Sequence, residues 1–329
     1  MKVSVIITSF NLSNFIEECV YSVVNQTYRP FEIIIADDCS SDNTIDLALK
    51  ICKDIIVVRQ SKNSGALLNS LAGLNKASGD IVSFIDGDDT WPLQKLDRVV
   101  KEFNRDPNVY FVTHNHRRVN SQGRPLGVMD ETHRNLRRLA YYINEEKRQE
   151  FLRQSVLLRK GIWFGSAYSM RRKSIPLEFF NNIVKDNPNA KFAYLDLVIA
   201  PFVVQVNLNG KIVYVDDLVF DYRIHTTNSA HSNTYEKQLM ALKRGRSTNL
   251  ITQDVLSKTN SPAFVLNAYD MHLREYDYLE ALYSGKKIRA LILFKELLVH
   301  FINRDIILKE TARLFSVFLM GSNLFLKIK

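Results

Sequence analysis

The chain has 329 residues, 46% of them hydrophobic and 24% charged, and carries a formal net charge of +9. That balance is ordinary for a folded globular chain and excludes a disordered or fibrous one, while the length allows one large domain or two moderate ones. Three cysteines, Cys19, Cys39 and Cys52, form no CxxC pair, which argues against a disulfide framework or a zinc ribbon.

The opening MKVSVIITSFN has an apolar run too short for the core of a signal peptide, so a cytoplasmic location is expected. VSVIITS (3–9) reads as a short β-branched strand. SNFIEECVYSVVNQT follows with Ile16, Cys19, Val20, Val23 and Val24 at helical spacing, and Ser13 is the expected N-cap. FEIIIADD (31–38) is a second strand and SSDNTIDLALKIC a second helix. DIIVVRQ (54–60) and GALLNSLAGLNKA (65–77) make the next pair, then DIVSFIDGDD a fourth strand, WPLQKLDRVVKEFN a helix and VYFVTHN (109–115) a fifth strand. From 116 to 160 the pattern weakens into polar, basic sequence. It resumes with GIWFGSAYSMRRKSI (161–175), a helix at 193–206, a hairpin-like NGKIVYVDDLVFDYRIH (209–225) and a helical C-terminal third.

Alternation of helices with nearly continuous apolar strands predicts an α/β fold with a mostly parallel sheet covered on both faces. Ligands of such sheets sit beyond the carboxyl ends of the strands. Thr8, Ser9 and Asn11 fall at the end of the first strand, Asp37 and Asp38 at the second, Asn63 and Gly65 after the third, and Asp86, Gly87, Asp88 and Asp89 at the fourth. One crevice should therefore collect them all. Three carboxylates within four residues repel one another, and a divalent cation is the first candidate to compensate them.

The ordered set VSVIITSFN, IIIADDCSSDNT, KNSGALLNSLAGLNKASGDIVSFIDGDD and YRIHTTNS resembles the family-2 glycosyltransferases of the GT-A fold, strongly over 1–110 and moderately over 160–230. The resemblance implies transfer of a sugar from a nucleotide-sugar, of UDP type, to a glycan or lipid-linked acceptor, with inversion and with Mn²⁺ or Mg²⁺, as in surface-polysaccharide assembly. By the same resemblance Asp88 is a metal ligand and His225, in the R-x-H segment, completes the metal shell or touches the diphosphate. Asp86 lies nearer the ribose, Asp89 supports metal or sugar, and Asp38, with Asp37 as its alternative, faces the base. Thr8, Ser9, Asn11, Asn63, Gly65 and Gly87 line the nucleotide, Arg223 steadies the phosphates, and Trp163, Gly165 and Ser166 line the sugar pocket. Asp196 in YLDLVIAPF takes the place of the family's base, although Leu195 stands where Glu is usual. The halves of the catalytic domain are expected at 1–115 for the donor and 116–230 for the acceptor, with a helical extension at 231–329.

Two other classes compete. DGDDT (86–90) also matches the D-x-D-x-T nucleophile motif of haloacid-dehalogenase-like phosphatases, with DDLVFD (216–221) as its metal segment, but four strand–helix units precede it. A nucleic-acid binder fits the net charge, yet aromatic residues do not interleave with the cations of 134–160, so no nucleic acid is expected. The acid-free C-terminal stretch has an uncharged core of 13 residues, Leu314 to Leu326, too short to span a bilayer. It reads either as an interfacial helix, giving peripheral contact with the inner face of a membrane, or as a helix packed on the domain or on a second copy in a homo-oligomer.

Overall fold

The computed structural model describes residues 1–127, 144–158, 165–226, 234–298 and 304–320. Strands β1 (Val3–Ser9), β2 (Glu32–Asp37), β3 (Ile56–Arg59) and β4 (Ile81–Asp86) alternate with helices α1 (Ile16–Val24), α2 (Thr44–Ile51) and α3 (Ala66–Lys76), and α4 (Lys95–Arg105) follows β4. β1 pairs in parallel with both β2 and β4, and β3 pairs in parallel with β2. The centres of β1, β2 and β4 are buried, as apolar strands covered on both faces must be.

The sheet has seven strands in the order β3-β2-β1-β4-β6-β5-β7. β6 (Ser169–Arg171) is antiparallel to both β4 and β5 (Val109–Asn120), and β7 (Lys211–Ile224) runs parallel to β5. Helices α5 (Glu145–Leu157), α6 (Leu177–Val184), α7 (Leu195–Val206), α8 (Tyr235–Ser257), α9 (Ala263–Tyr283), α10 (Lys287–Leu298) and α11 (Arg304–Met320) complete the described chain. One core joins the sheet to the end of α8 and the start of α9, reaching from Val3 to Tyr269. A smaller second core is built by Tyr278, Leu282, Ala290, Phe294, Leu297, Leu314 and Val317 where α9, α10 and α11 meet.

Four local expectations need correction. Segment 209–225 is no hairpin: the turn at Asn209–Gly210 joins α7 to β7, and Asp216–Asp217 sit in a β-bulge where the register jumps from His114↔Val215 to Asn115↔Leu218. Ser13 does not cap α1, which begins at Ile16; its amide instead donates to the Asp42 carboxylate at 3.0 Å. The helix expected at Trp91 starts only at Lys95, because the chain from Asp89 to Gln94 is spent crossing under β7. The three-residue strand β6 was not foreseen, being too short to carry an alternation.

Gly65 opens α3 with φ +91°, and a Cβ there would stand 1.9 Å from the Lys191 carbonyl oxygen. Both backbone conformation and contact demand glycine. Gly65→Ala is expected to lower the unfolding free energy by about 2–4 kcal/mol, read by urea denaturation, through strain and displacement of the 190–193 segment.

Candidate functional site

The parallel register sets the site. Thr8 lies opposite Asp86 and Ser9 opposite Asp37, so the carboxyl ends of β1, β2 and β4 finish level. Beyond them the backbone turns sharply, with Asn11 at φ +53° and Cys39 at φ +66°. Asparagine tolerates that conformation well; cysteine adopts it at a cost of roughly 1–2 kcal/mol that the surrounding bonds must offset. They do so by lacing the two loops together: Asn11 Oδ1 accepts from the Ser41 amide at 2.8 Å, and the Asn11 amide donates to Ser40 Oγ at 2.9 Å.

Asp86, Asp88 and Asp89 each bring a carboxylate oxygen within 4.8 Å of the others. They are not equivalent. Asp86 accepts from Thr8 Oγ1 at 2.6 Å and keeps contact with solvent at its rim. Crowding by protein atoms and the adjacent Asp88 charge nevertheless push its carboxyl up to about 7. Asp89 is turned inward and buried, accepting from Ser166 Oγ at 2.7 Å and from the Arg223 amide at 2.9 Å. Burial, then the charges of Asp88 and Asp86, raise its carboxyl well above the usual range. Through these bonds it clasps three segments together, while one of its carboxylate oxygens stays within the acidic cluster. Gly87 packs against Leu12, Ile16 and the Thr8 carbonyl, so its want of a side chain serves the close approach of β1 and β4 rather than an open nucleotide face.

β7 crosses this cluster. His225 Nε2 lies 2.9 Å from Asp88 Oδ2, and the imidazole is held by the Phe15 ring with centroids 4.4 Å apart. Arg223, expected on the phosphates, is buried: Nε donates to the Asp88 carbonyl at 2.8 Å, one terminal nitrogen to the Ser121 carbonyl at 2.9 Å and the other to the Glu18 carboxylate. A side chain so engaged positions the acidic turn instead of reaching a ligand. Asp86, Asp88 and His225 are thus the donors placed to hold a hard divalent cation, whose charge would relieve the crowding that raises Asp86.

Asp196 joins from the opposite lobe. It sits in the first turn of α7 with Oδ1 accepting from the Leu197 amide at 3.0 Å, and the Gly165 position faces its Cβ and carboxyl within 4.0 Å. Ser166, next in the chain, accepts from the Asp86 amide at 3.0 Å, and the charge of Asp196 is felt at Asp86. Gly165, Ser166 and Asp196 therefore border the acidic turn. Trp163 lies outside the described residues.

On the far side Asp37 is buried and fully engaged, with Ser9, the amide and hydroxyl of Ser40, and Arg59 around it. Asp38 accepts from the amides of Ser64 at 2.6 Å and Gly65 at 2.9 Å, pinning the turn after β3. That turn carries Asn63 exposed beside the crevice. Sequence reading missed Glu18 and Phe15. Nothing local marks them, since their partners lie more than 200 residues away.

The chain belongs to glycosyl transferase family 2: the family's sequence profile, described as "Glycosyl transferase family 2", matches residues 4–175, more than half of the chain. Relatives include the putative teichuronic acid biosynthesis glycosyltransferase TuaG of Bacillus subtilis (strain 168), 42% identical over 99 residues that cover 29% of this chain and 39% of that protein. The Escherichia coli glucosyltransferase WfaP, described as UDP-Glc:alpha-D-GlcNAc-diphosphoundecaprenol beta-1,3-glucosyltransferase, is 37% identical over 111 residues, 33% of this chain and 43% of that protein. The matches thus span less than half the length of these relatives. Among solved structures, S. aureus TarS 1-349 in complex with UDP-GlcNAc superposes with TM-score 0.53 at 16% identity, covering 98% of this chain and 92% of that one. The mannosyltransferase PcManGT of Pyrobaculum calidifontis, in complex with GDP-Man and Mn²⁺, gives 0.54 at 15%, covering 99% and 84%. Together they show the GT-A fold that the resemblance implies.

Arg223→Ala is expected to cost about 2–4 kcal/mol of stability in urea denaturation, because it strips donors from two backbone carbonyls and a carboxylate. Arg223→Lys should recover only a minor part, since an ammonium cannot serve three diverging acceptors.

Proposed function

We propose that the chain is an inverting, metal-assisted glycosyltransferase that moves a sugar from a UDP-sugar to a saccharide on a lipid carrier, in the assembly of a surface polysaccharide. One observation carries the reading. The carboxyl end of a parallel sheet presents Asp86 and Asp88 beside His225, with Asp196 brought up against the same turn by Gly165 and Ser166. Family membership supports the reaction class, the UDP-sugar complex of TarS and the printed activity of WfaP support the donor, and the lipid diphosphate in the WfaP description supports the acceptor.

In this reading the crevice over β1 and β2 takes the nucleoside, with Thr8, Ser9, Asn11, Asn63 and the outer lone pairs of the Asp38 carboxylate lining it. Asp88 and His225 would hold Mn²⁺ or Mg²⁺, and Asp86, expected nearer the ribose, stands close enough to Asp88 to share the ion. The ion, when bound, supplies positive charge to the diphosphate as the bond from the sugar breaks. Thr8 fixes the Asp86 carboxylate, and Phe15 fixes the imidazole of His225. Asp196 takes the proton from the acceptor hydroxyl as its oxygen attacks the anomeric carbon, and the short α7 first turn holds that carboxylate through the Leu197 amide. The donor half is placed at 1–115 and the acceptor half at 116–230.

The phosphatase alternative loses its second element. Asp216 bonds Asn115 and Tyr214, and Asp221 pairs with Arg117 through two bonds of 2.8 and 2.7 Å, so neither faces Asp86 as a metal ligand.

A thermal-shift titration with UDP, GDP, CDP and dTDP, each with Mn²⁺, Mg²⁺ or EDTA, tests the donor site. UDP with metal at 100 times its Kd should stabilise by about 2.7 kcal/mol, and absence of any shift would overturn the reading. Asp88→Ala should abolish the metal-dependent shift. Asp196→Ala should keep that shift and lose transfer by about 10²–10⁴-fold; full activity would place the base elsewhere.

A further inference from the structure

Helix α10 is apolar on two faces. Ala290, Phe294 and Leu297 point into the second core, where they hold the helix against α9 and α11. The opposite face carries Ile288, Leu291 and Ile292 at 80%, 51% and 55% exposure, with Leu298 at its far end. These spacings of three and four residues put them on one stripe of the helix. Isolated exposed apolar residues need no account, but a rigid stripe of large aliphatic side chains does.

The stripe is bordered by cations. Lys286, Lys287, Arg289 and Lys295 are all exposed on or beside α10. The acid of the helix, Glu296, follows Ile292 by four residues and lies 3.9 Å from Arg274 of α9, whose cation counters it. A polar cleft of about 260 Å³ opens alongside, lined by Arg246, Asp277, Glu280, Lys286 and Arg289. Asp277 in that cleft is paired with Arg246 at 2.6 Å and Glu280 is its other acid, so Lys286 and Arg289 leave the lining with an excess of positive charge.

We infer that α10 is a membrane-docking element, which lies flat on an anionic bilayer with Ile288, Leu291 and Ile292 in the acyl boundary and Lys286 and Arg289 on lipid phosphates. Interfacial helices join buried apolar area to attraction for anionic headgroups in this way, and each cation near the surface adds its own increment. A second copy is the poorer occupant. A two-fold contact through this stripe would bring the same four cations of both copies together, and like charges across an interface oppose association. The expectation from sequence placed a membrane contact at Leu314–Leu326; residues 321–329 lie outside the described chain, and the exposed apolar stripe is found one helix earlier. No described helix is long and apolar enough to cross a membrane, so the contact is one of lying on the surface. This surface is separate from the carboxylate site, and its test uses neither donor nor acceptor.

The experiment is co-sedimentation of the full chain with vesicles of phosphatidylcholine alone or mixed with phosphatidylglycerol, at low and high salt. Binding is expected to the mixed vesicles at low salt and to be weakened by salt. Ile288→Asp with Leu291→Asp should reduce binding at least tenfold, while the circular dichroism spectrum and the thermal unfolding midpoint stay unchanged, since both positions are exposed. Lys286→Ala and Arg289→Ala should each weaken binding about fivefold. Wild-type binding by the double variant overturns the inference. So does light scattering that shows a dimer of the wild type, dissociated by the double variant, with no vesicle binding by either.

Discussion

A buried carboxylate must be met by donors, and Asp89 draws its two from segments 77 and 134 residues further along the chain. That single requirement ties the acidic turn after β4 to the Gly165–Ser166 segment and to the end of β7. Without those donors a charge enclosed by protein, one residue from another carboxylate, would be strongly disfavoured. With them, the turn becomes rigid. Asp89 is buried in that position, while Asp86 stays exposed and Asp88 meets His225. Arg223 completes the arrangement by binding the Asp88 carbonyl, Ser121 and Glu18 at once.

The same logic explains why the two lobes share one sheet. β4 and β5 do not pair with each other; the three residues of β6 lie between them, antiparallel to both, with Ser169 bonded to Ser83 at 2.7 Å. Ser166 is three residues before that strand. A short strand therefore fixes the hydroxyl that positions the acids, and the helix carrying Asp196 packs beside it. The acid cluster at the end of β4 and Asp196 at the start of α7 therefore come together around the Gly165–Ser166 segment.

Much of the donor half could be read from the chain. The strands of residues 3–86 are short and apolar throughout, each helix between them is amphipathic, and polar residues gather at strand ends, so the parallel sheet and its crevice followed from periodicity. Roles were harder. Gly65 was taken as a point of ligand approach, and the partner that demands glycine is the Lys191 backbone. The resemblance implies Arg223 on the phosphates, but its burial commits it to the protein. The hairpin expected at 209–225 failed because Asp216–Asp217 look like a turn in sequence and are absorbed by a bulge when a long partner strand lies alongside.

What the sequence by itself determined is the α/β alternation, the collection of Thr8, Asn11, Asp38 and Asp86–Asp89 at one edge, and the presence of an acid cluster that could hold a metal ion. These are local properties, set by residue type and spacing of two or 3.6. Only the tertiary structure decided which acid turns inward, that His225 meets Asp88 while Arg223 is enclosed, and that Asp196 reaches the same turn. Those outcomes depend on contacts across 30 to more than 200 residues, where burial and the supply of hydrogen-bond donors assign each side chain its role, and no local pattern records them.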